Sequence, residues 1–260
     1  MVTLQTNKRT ITGPTRWREV TVEMYQNIMS KWDGKDDLLL KSILYDIDYN
    51  YLLTSTDLNM LGPLEQAAAF TRIEVLNKEK VPSVVEINGK WYDVPTRLNG
   101  YSVGQAIQAR RVLESAKMYD VAIAKIVAIY LVPSDQFTME KAEELEKEIL
   151  KAPITEVLAV GYFLCGSVEQ MWQHTFERME SIKMPGSEED DFAAKMAGVH
   201  NLEPLADLSL LDKFAQAYHM DPDVVYNKSF GTVMNMLYLL KVREAFMKRF
   251  DSIRKTLNPL

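Results

Sequence analysis

Val121-Ala-Ile-Ala-Lys-Ile-Val-Ala-Ile-Tyr-Leu-Val132 is the most apolar run of the chain. It is far shorter than the ~20 residues of a membrane-spanning helix, and Lys125 interrupts it. The run therefore predicts a helix buried inside a globular protein, starting at Tyr119 and stopped by Pro133. Upstream, Ser102-Val-Gly-Gln105 has the spacing of a capping box, which predicts a second helix from Val103 to about Lys117. Downstream, Thr138 caps a third helix that buries Ala142, Leu145, Ile149 and Leu150. Pro153 precedes a long helix over Ile154 to Ile182, with Val157, Leu158, Leu164, Val168, Met171 and Trp172 on one side. Gly161 and Gly166 fall within it, where they admit a close neighbour or a bend.

The flanking regions follow the same grammar. Thr21 caps a short helix ending near Lys31, and Asp36 and Asp37 open another through Tyr45. Gly62-Pro63 reads as punctuation before a helix over Leu64 to Asn77. The period changes at Ser83 to Val94, where Asn88-Gly89 between β-branched and aromatic residues predicts a two-stranded ribbon. Alternation puts Val85, Ile87, Tyr92 and Val94 on one face and Glu86 and Trp91 on the other. Residues 183–206 hold five acids against two lysines and several breakers, the pattern of a linker with a short helix around Asp191 to Met196. Leu208 to Tyr218 and Phe230 to Phe250 then predict a terminal helical hairpin. The expected architecture is mainly α: a multi-helix bundle with one small β-hairpin, divided into a helical domain (1–182), an acidic linker (183–206) and a C-terminal helical hairpin (207–260). Tyr45 to Leu52 also aligns with Tyr218 to Val225, each offering an aspartate cap (Asp48, Asp221) for a short helical turn.

The chain has 260 residues, 47% apolar and 25% charged, with net charge -6, a balance that argues against a chain-wide nucleic-acid surface. Its one cysteine, Cys165, allows no intramolecular disulfide and reads as a small buried hydrophobe. His174, His200 and His219 are far apart, with no second ligand at metal-binding spacing. No glycine-rich phosphate-binding motif is present, and Glu140 to Glu148 read as a solvated helix face. The expectation is a protein with no catalytic residues, cofactor or metal. Met1 to Pro14 is polar and lacks the apolar stretch of a secretory signal, which predicts a cytosolic chain. Two sets of residues stand out as candidate contacts. Trp91, Tyr92, Met234, Phe246 and Phe250 suit protein binding. Lys241, Arg243, Lys248, Arg249 and Arg254 make the last helix basic enough for an acidic partner or nucleic acid, or for an intramolecular dock onto the acidic linker.

Three segments carry a resemblance to a known group. They are Trp17-Arg-Glu-Val-Thr-Val-Glu-Met-Tyr25; Ile87-Asn-Gly-Lys-Trp-Tyr-Asp-Val94 with Tyr101-Ser-Val-Gly-Gln105; and Ala215-Gln-Ala-Tyr-His-Met-Asp-Pro-Asp-Val-Val225. Together they resemble small helical morphogenesis proteins of tailed bacteriophages infecting Bacteroides-like hosts, including tail-assembly chaperones and virion proteins. The resemblance covers well under half of the chain and marks no catalytic position. It implies non-enzymatic work by protein–protein contact in the host cytoplasm, or within the virion as a homo-oligomer. The implied partners are tail, tape-measure, portal or connector proteins, with no membrane role. The competing expectation is a nucleic-acid-binding or regulatory helical protein that uses the basic C-terminal helix.

Overall fold

The structure is a computed structural model that describes residues 1–5, 10–55, 58–74, 76–182 and 206–257. It is mainly helical, with two small antiparallel sheets. The chain forms two compact units, one of residues 1–96 and 111–166, the other of residues 97–110 and 167–260. This division differs from the sequence-based boundary at 182, because it falls inside two continuous helices. The expected linker and its short helix lie outside the described residues, apart from Ala206, which begins a helix.

The first unit starts with β1 (Val2–Gln5) and β2 (Thr10–Gly13), paired with Leu4 opposite Ile11. This sheet is an addition to the one expected ribbon. Its strands are short and mostly polar, and Ile11 supplies a buried anchor. Helix α1 (Val22–Lys31) has Thr21 as its N-cap, accepting from the Met24 amide, and α2 (Asp37–Tyr45) has Asp36, accepting from Leu38 and Leu39. Helix α3 (Tyr49–Thr54) follows. Then α4 (Leu58–Ala68) runs straight through Pro63, and α5 (Phe70–Ile73) ends the stretch early. The expected stop at Gly62-Pro63 is thus corrected. Proline removes one hydrogen bond from the helix, while Met60 and Leu64 on either side of it are fully buried.

The ribbon forms as β3 (Val84–Ile87) and β4 (Lys90–Asp93), with Val85 opposite Tyr92 and Glu86 opposite Trp91. Both turn residues, Asn88 and Gly89, have positive φ, at 49° and 77°. Its inner face buries Val85 and Ile87. Helix α6 (Val103–Ser115) leads to α7 (Tyr119–Leu131), which is buried from Ala122 to Leu131 except at half-buried Lys125. Helix α7 packs on α1 and on α8 (Met139–Ile149), whose cap is Thr138. The N-terminal half of α9 (Ile154–Glu180) lies so close to α7 that a Cβ on Gly161 would fall 2.5 Å from Ile123 Cγ2.

The starts of α1 and α9 are joined. Val22 donates to the Ala152 carbonyl (3.0 Å) and Ile154 donates to the Val20 carbonyl (2.8 Å), across a Thr21–Pro153 bridge. Amides that a helix start leaves without an internal partner are thereby satisfied.

The second unit holds the start of α6, the end of α9, α10 (Ala206–Tyr218), α11 (Pro222–Tyr226) and α12 (Phe230–Leu257). It uses the same joint. Val103 donates to the Lys228 carbonyl (2.8 Å) and Phe230 to the Tyr101 carbonyl (2.7 Å), across a Ser102–Ser229 bridge. The capping box at Ser102 and Gln105 forms with both residues fully buried. Trp172 donates to the Ala106 carbonyl and meets Phe230 edge-on at 4.9 Å. The paired motifs also agree in detail. Asp46 and His219 take left-handed φ (48° and 50°), Asp48 and Asp221 cap α3 and α11, and Leu52 and Val225 are buried behind them.

The two α9 glycines give opposite expectations. Gly161→Ala should cost about 1–3 kcal/mol, since Ile123 must move. Gly166 has nothing within 4 Å of the place an alanine methyl would take, so Gly166→Ala should gain about 0.5–1 kcal/mol. Urea denaturation of both variants checks this. Burial pushes the Tyr45 hydroxyl up to about 12, and Tyr25 and Tyr162 are raised by burial and then by hydrogen bonds to Asp120. A raised folded-state pKa means stability intact below ~10 and lost as pH climbs toward 12. The urea midpoint should fall across that window, less steeply in Tyr45→Phe.

Candidate functional site

Helix α12 changes character along its length. Its first half is core: Phe230, Val233, Met234 and Leu237 are buried. Beyond them Leu239, Val242, Phe246, Phe250, Ile253 and Leu257 are exposed, Phe246 at 62% and Leu257 at 74%. The steps between these residues are three, four, four, three and four, which average one α-helical turn. All six therefore lie within about 80° of arc, in a straight stripe about 27 Å long. Phe246 and Phe250 stack at its centre, 6.2 Å apart. The opposite side of the helix is held: Ala245 is buried, Lys241 Nζ donates to the Met179 carbonyl (2.6 Å), and Glu244 pairs with Lys213 (3.4 Å). A helix with one face packed and a second apolar face in solvent exposes more hydrophobic surface than its fold requires.

Charge follows the same geometry. By helical position, Arg243 and Arg254 border one edge of the stripe and Arg249 the other, while Glu244 and Asp251 lie on the far side. Residues 239–257 carry net +4 in a chain of net -6. Arg254 and Lys255 in the last turn also complement the helix dipole.

The expected contact residues separate. Phe246, Phe250, Arg243, Lys248, Arg249 and Arg254 lie on the exposed half of α12. Met234 is corrected from surface to core, because it falls on the helix face shared with Val233 and Leu237. Lys241 is corrected from a partner contact to an internal one, since its ammonium is taken by a carbonyl at the end of α9. Strand alternation parts Trp91 from Tyr92. Trp91, 67% exposed, borders a groove of about 450 Å³ with Val84, Glu86 and Glu156. Half-buried Tyr92 borders another of about 300 Å³ with Leu131 and Glu144. Burial, and then the Glu86 charge, raises the Glu156 carboxyl above its ordinary range.

One polar cluster has no counterpart in the sequence expectations. Asp120, only 7% exposed in the first turn of α7, accepts from the Tyr25 hydroxyl of α1 and from the Tyr162 hydroxyl of α9 (2.7 Å). Lys78 Nζ donates to Tyr162 (2.6 Å) and lies 3.8 Å from Asp120. Both phenols are held in the protonated form, so at neutral pH they are hydrogen-bond donors and poor nucleophiles. The chemistry of this cluster is to satisfy a buried carboxylate while tying three helices together. A lone aspartate leading an apolar helix was its only sequence signal. For the stripe, the signal was the helical period continuing past Phe250 to Leu257.

Among the described residues, no group of three or more His, Cys, Asp or Glu side chains is placed to hold a metal ion. No described helix is long and apolar enough to cross a membrane. No family model, curated protein or solved structure matches the chain.

If the stripe is dispensable for folding, Phe246→Ser with Phe250→Ser should change stability by no more than about 0.5 kcal/mol. Phe230→Ala, on the packed half of the same helix, should cost about 3–5 kcal/mol. Urea denaturation of the two variants makes the comparison.

Proposed function

We propose that this chain is a non-enzymatic assembly protein that works by laying helical surface against other polypeptides during construction of a tailed-phage particle. The observation that carries the contact role is the exposed apolar stripe from Leu239 to Leu257, set opposite the face by which α12 is anchored. Covering a stripe of this kind gains roughly 25 cal/mol per Å² of apolar surface taken out of water, set against the entropy lost on association. The phage setting rests on the resemblance of the three segments around Trp17, Trp91 and Asp221.

Two forms of this role differ in the fate of the protein once contact is made. A tail-assembly chaperone holds a tape-measure or tube protein in the host cytoplasm and leaves. A virion component stays, as a ring or connector built from many copies. Quantitative mass spectrometry of purified particles, and of tail intermediates from infected cells, tests the role. Stoichiometric presence in particles supports the component, and presence only in intermediates supports the chaperone. Absence from both overturns the proposal.

The net +4 of residues 239–257 favours one competing reading, a nucleic-acid-binding regulator. Phosphate contacts would make such binding fall steeply with salt. The assembly role expects no measurable affinity for DNA or RNA even at low salt.

A further inference from the structure

Resting on the contact role proposed for the α12 stripe, we infer that its occupant is an amphipathic helix of a different polypeptide, with an apolar stripe bordered by carboxylates. The shape argues for a helix. The stripe is straight, one side chain wide and about five turns long, and its 3.6-residue period matches the ridge of another α-helix. Arg243 and Arg254 border it along one edge, and guanidinium groups prefer the planar, two-oxygen geometry of a carboxylate.

A second copy of this helix fits poorly. Antiparallel pairing centred between Phe246 and Phe250 brings Arg243 of one copy beside Arg254 of the other, at both ends of the contact. Parallel pairing about a twofold axis sets the Arg243 and Arg254 edge of one copy against the Arg249 edge of the other, where no acid stands to receive it. The acids that could relieve this, Glu244 and Asp251, lie on the far side, and Glu244 is paired with Lys213.

Anionic membranes and nucleic acid also offer negative charge. The rest of the chain carries -10 against the +4 of this segment, so both polyanions are repelled by most of the molecule. Nucleic acid would in addition leave Leu239, Val242 and Ile253 uncovered, since its phosphates meet the arginines and its bases stack on aromatic rings. An acidic amphipathic helix covers both the apolar and the cationic parts with one local, uniform surface.

The test uses the full chain and two synthetic helical peptides of about 20 residues, matched in their leucine stripe. One is bordered by glutamates and the other by lysines. Titration is followed by fluorescence anisotropy, with vesicles of about 30% phosphatidylserine and a thymidine oligonucleotide as parallel probes. The glutamate peptide should bind, at least about tenfold more tightly than the lysine peptide, and should weaken between about 50 and 500 mM salt. Phe246→Ser with Phe250→Ser should abolish binding, with the circular dichroism spectrum unchanged. Arg243→Glu with Arg254→Glu should invert the preference toward the lysine peptide, a gain that a misfolded variant would not show. No binding of the glutamate peptide, equal binding of both peptides, or tighter binding of vesicles or oligonucleotide overturns the inference. So does self-association in sedimentation that the phenylalanine substitutions remove. Preference for the lysine peptide through the same stripe sinks the acidic occupant but leaves the contact role standing, whereas absence of the protein from particles and intermediates sinks the role itself.

Discussion

Each unit is built on a reciprocal pair of hydrogen bonds between two helix beginnings. A helix start has four amides with no carbonyl behind them, and burying such a start without partners is costly. Here two starts meet and each borrows a carbonyl from the residue ahead of the other's cap, at Val22 and Ile154 in one unit and at Val103 and Phe230 in the other. These four first residues are apolar and buried, so the joint also seeds the core around it. Close approach follows. Gly104 lies under the Tyr226 ring, where a Cβ would fall 2.1 Å from Cε1 and force the ring aside, and Gly231 lies against Asn99, where a Cβ would make a tight 3.1 Å contact with its carbonyl.

Polar satisfaction inside and apolar exposure outside are two outcomes of the same constraint. Two buried groups show the first outcome: Asp120 has two phenols, and the Trp172 indole has a carbonyl. The second half of α12 departs from this economy on its apolar side, presenting Phe246 and Phe250 to water. Anchoring by Lys241, Ala245 and Glu244 fixes which side of the helix faces inward, and so fixes which side is offered.

Features set by neighbours in sequence were legible beforehand. Thr21, Asp36, Ser102 and Thr138 cap as expected because the atoms involved lie within three residues of one another. Asn88-Gly89 turns the ribbon for the same reason, since positive φ is a property of the residues themselves. The features that escaped depend on distant partners. Tyr25 reaches Asp120 across 95 positions, and Ser102 meets Ser229 across 127. At Pro63 the local cost alone predicts a stop, and the burial of Met60 and Leu64 outweighs it. The stripe lay partly in view through Phe246 and Phe250. Met234 and Lys241 share that helix but face its packed side, which only their distant neighbours decide.

If the protein works by contact, the outer side of α12 is covered while it does so. Hydroxyl-radical footprinting of the chain, free and within purified particles or tail intermediates, measures that coverage side chain by side chain. Coverage predicts strong oxidation of Phe246, Met247 and Phe250 in the free chain and marked protection in the assembled state. Equal labelling of those three residues in both states would contradict it.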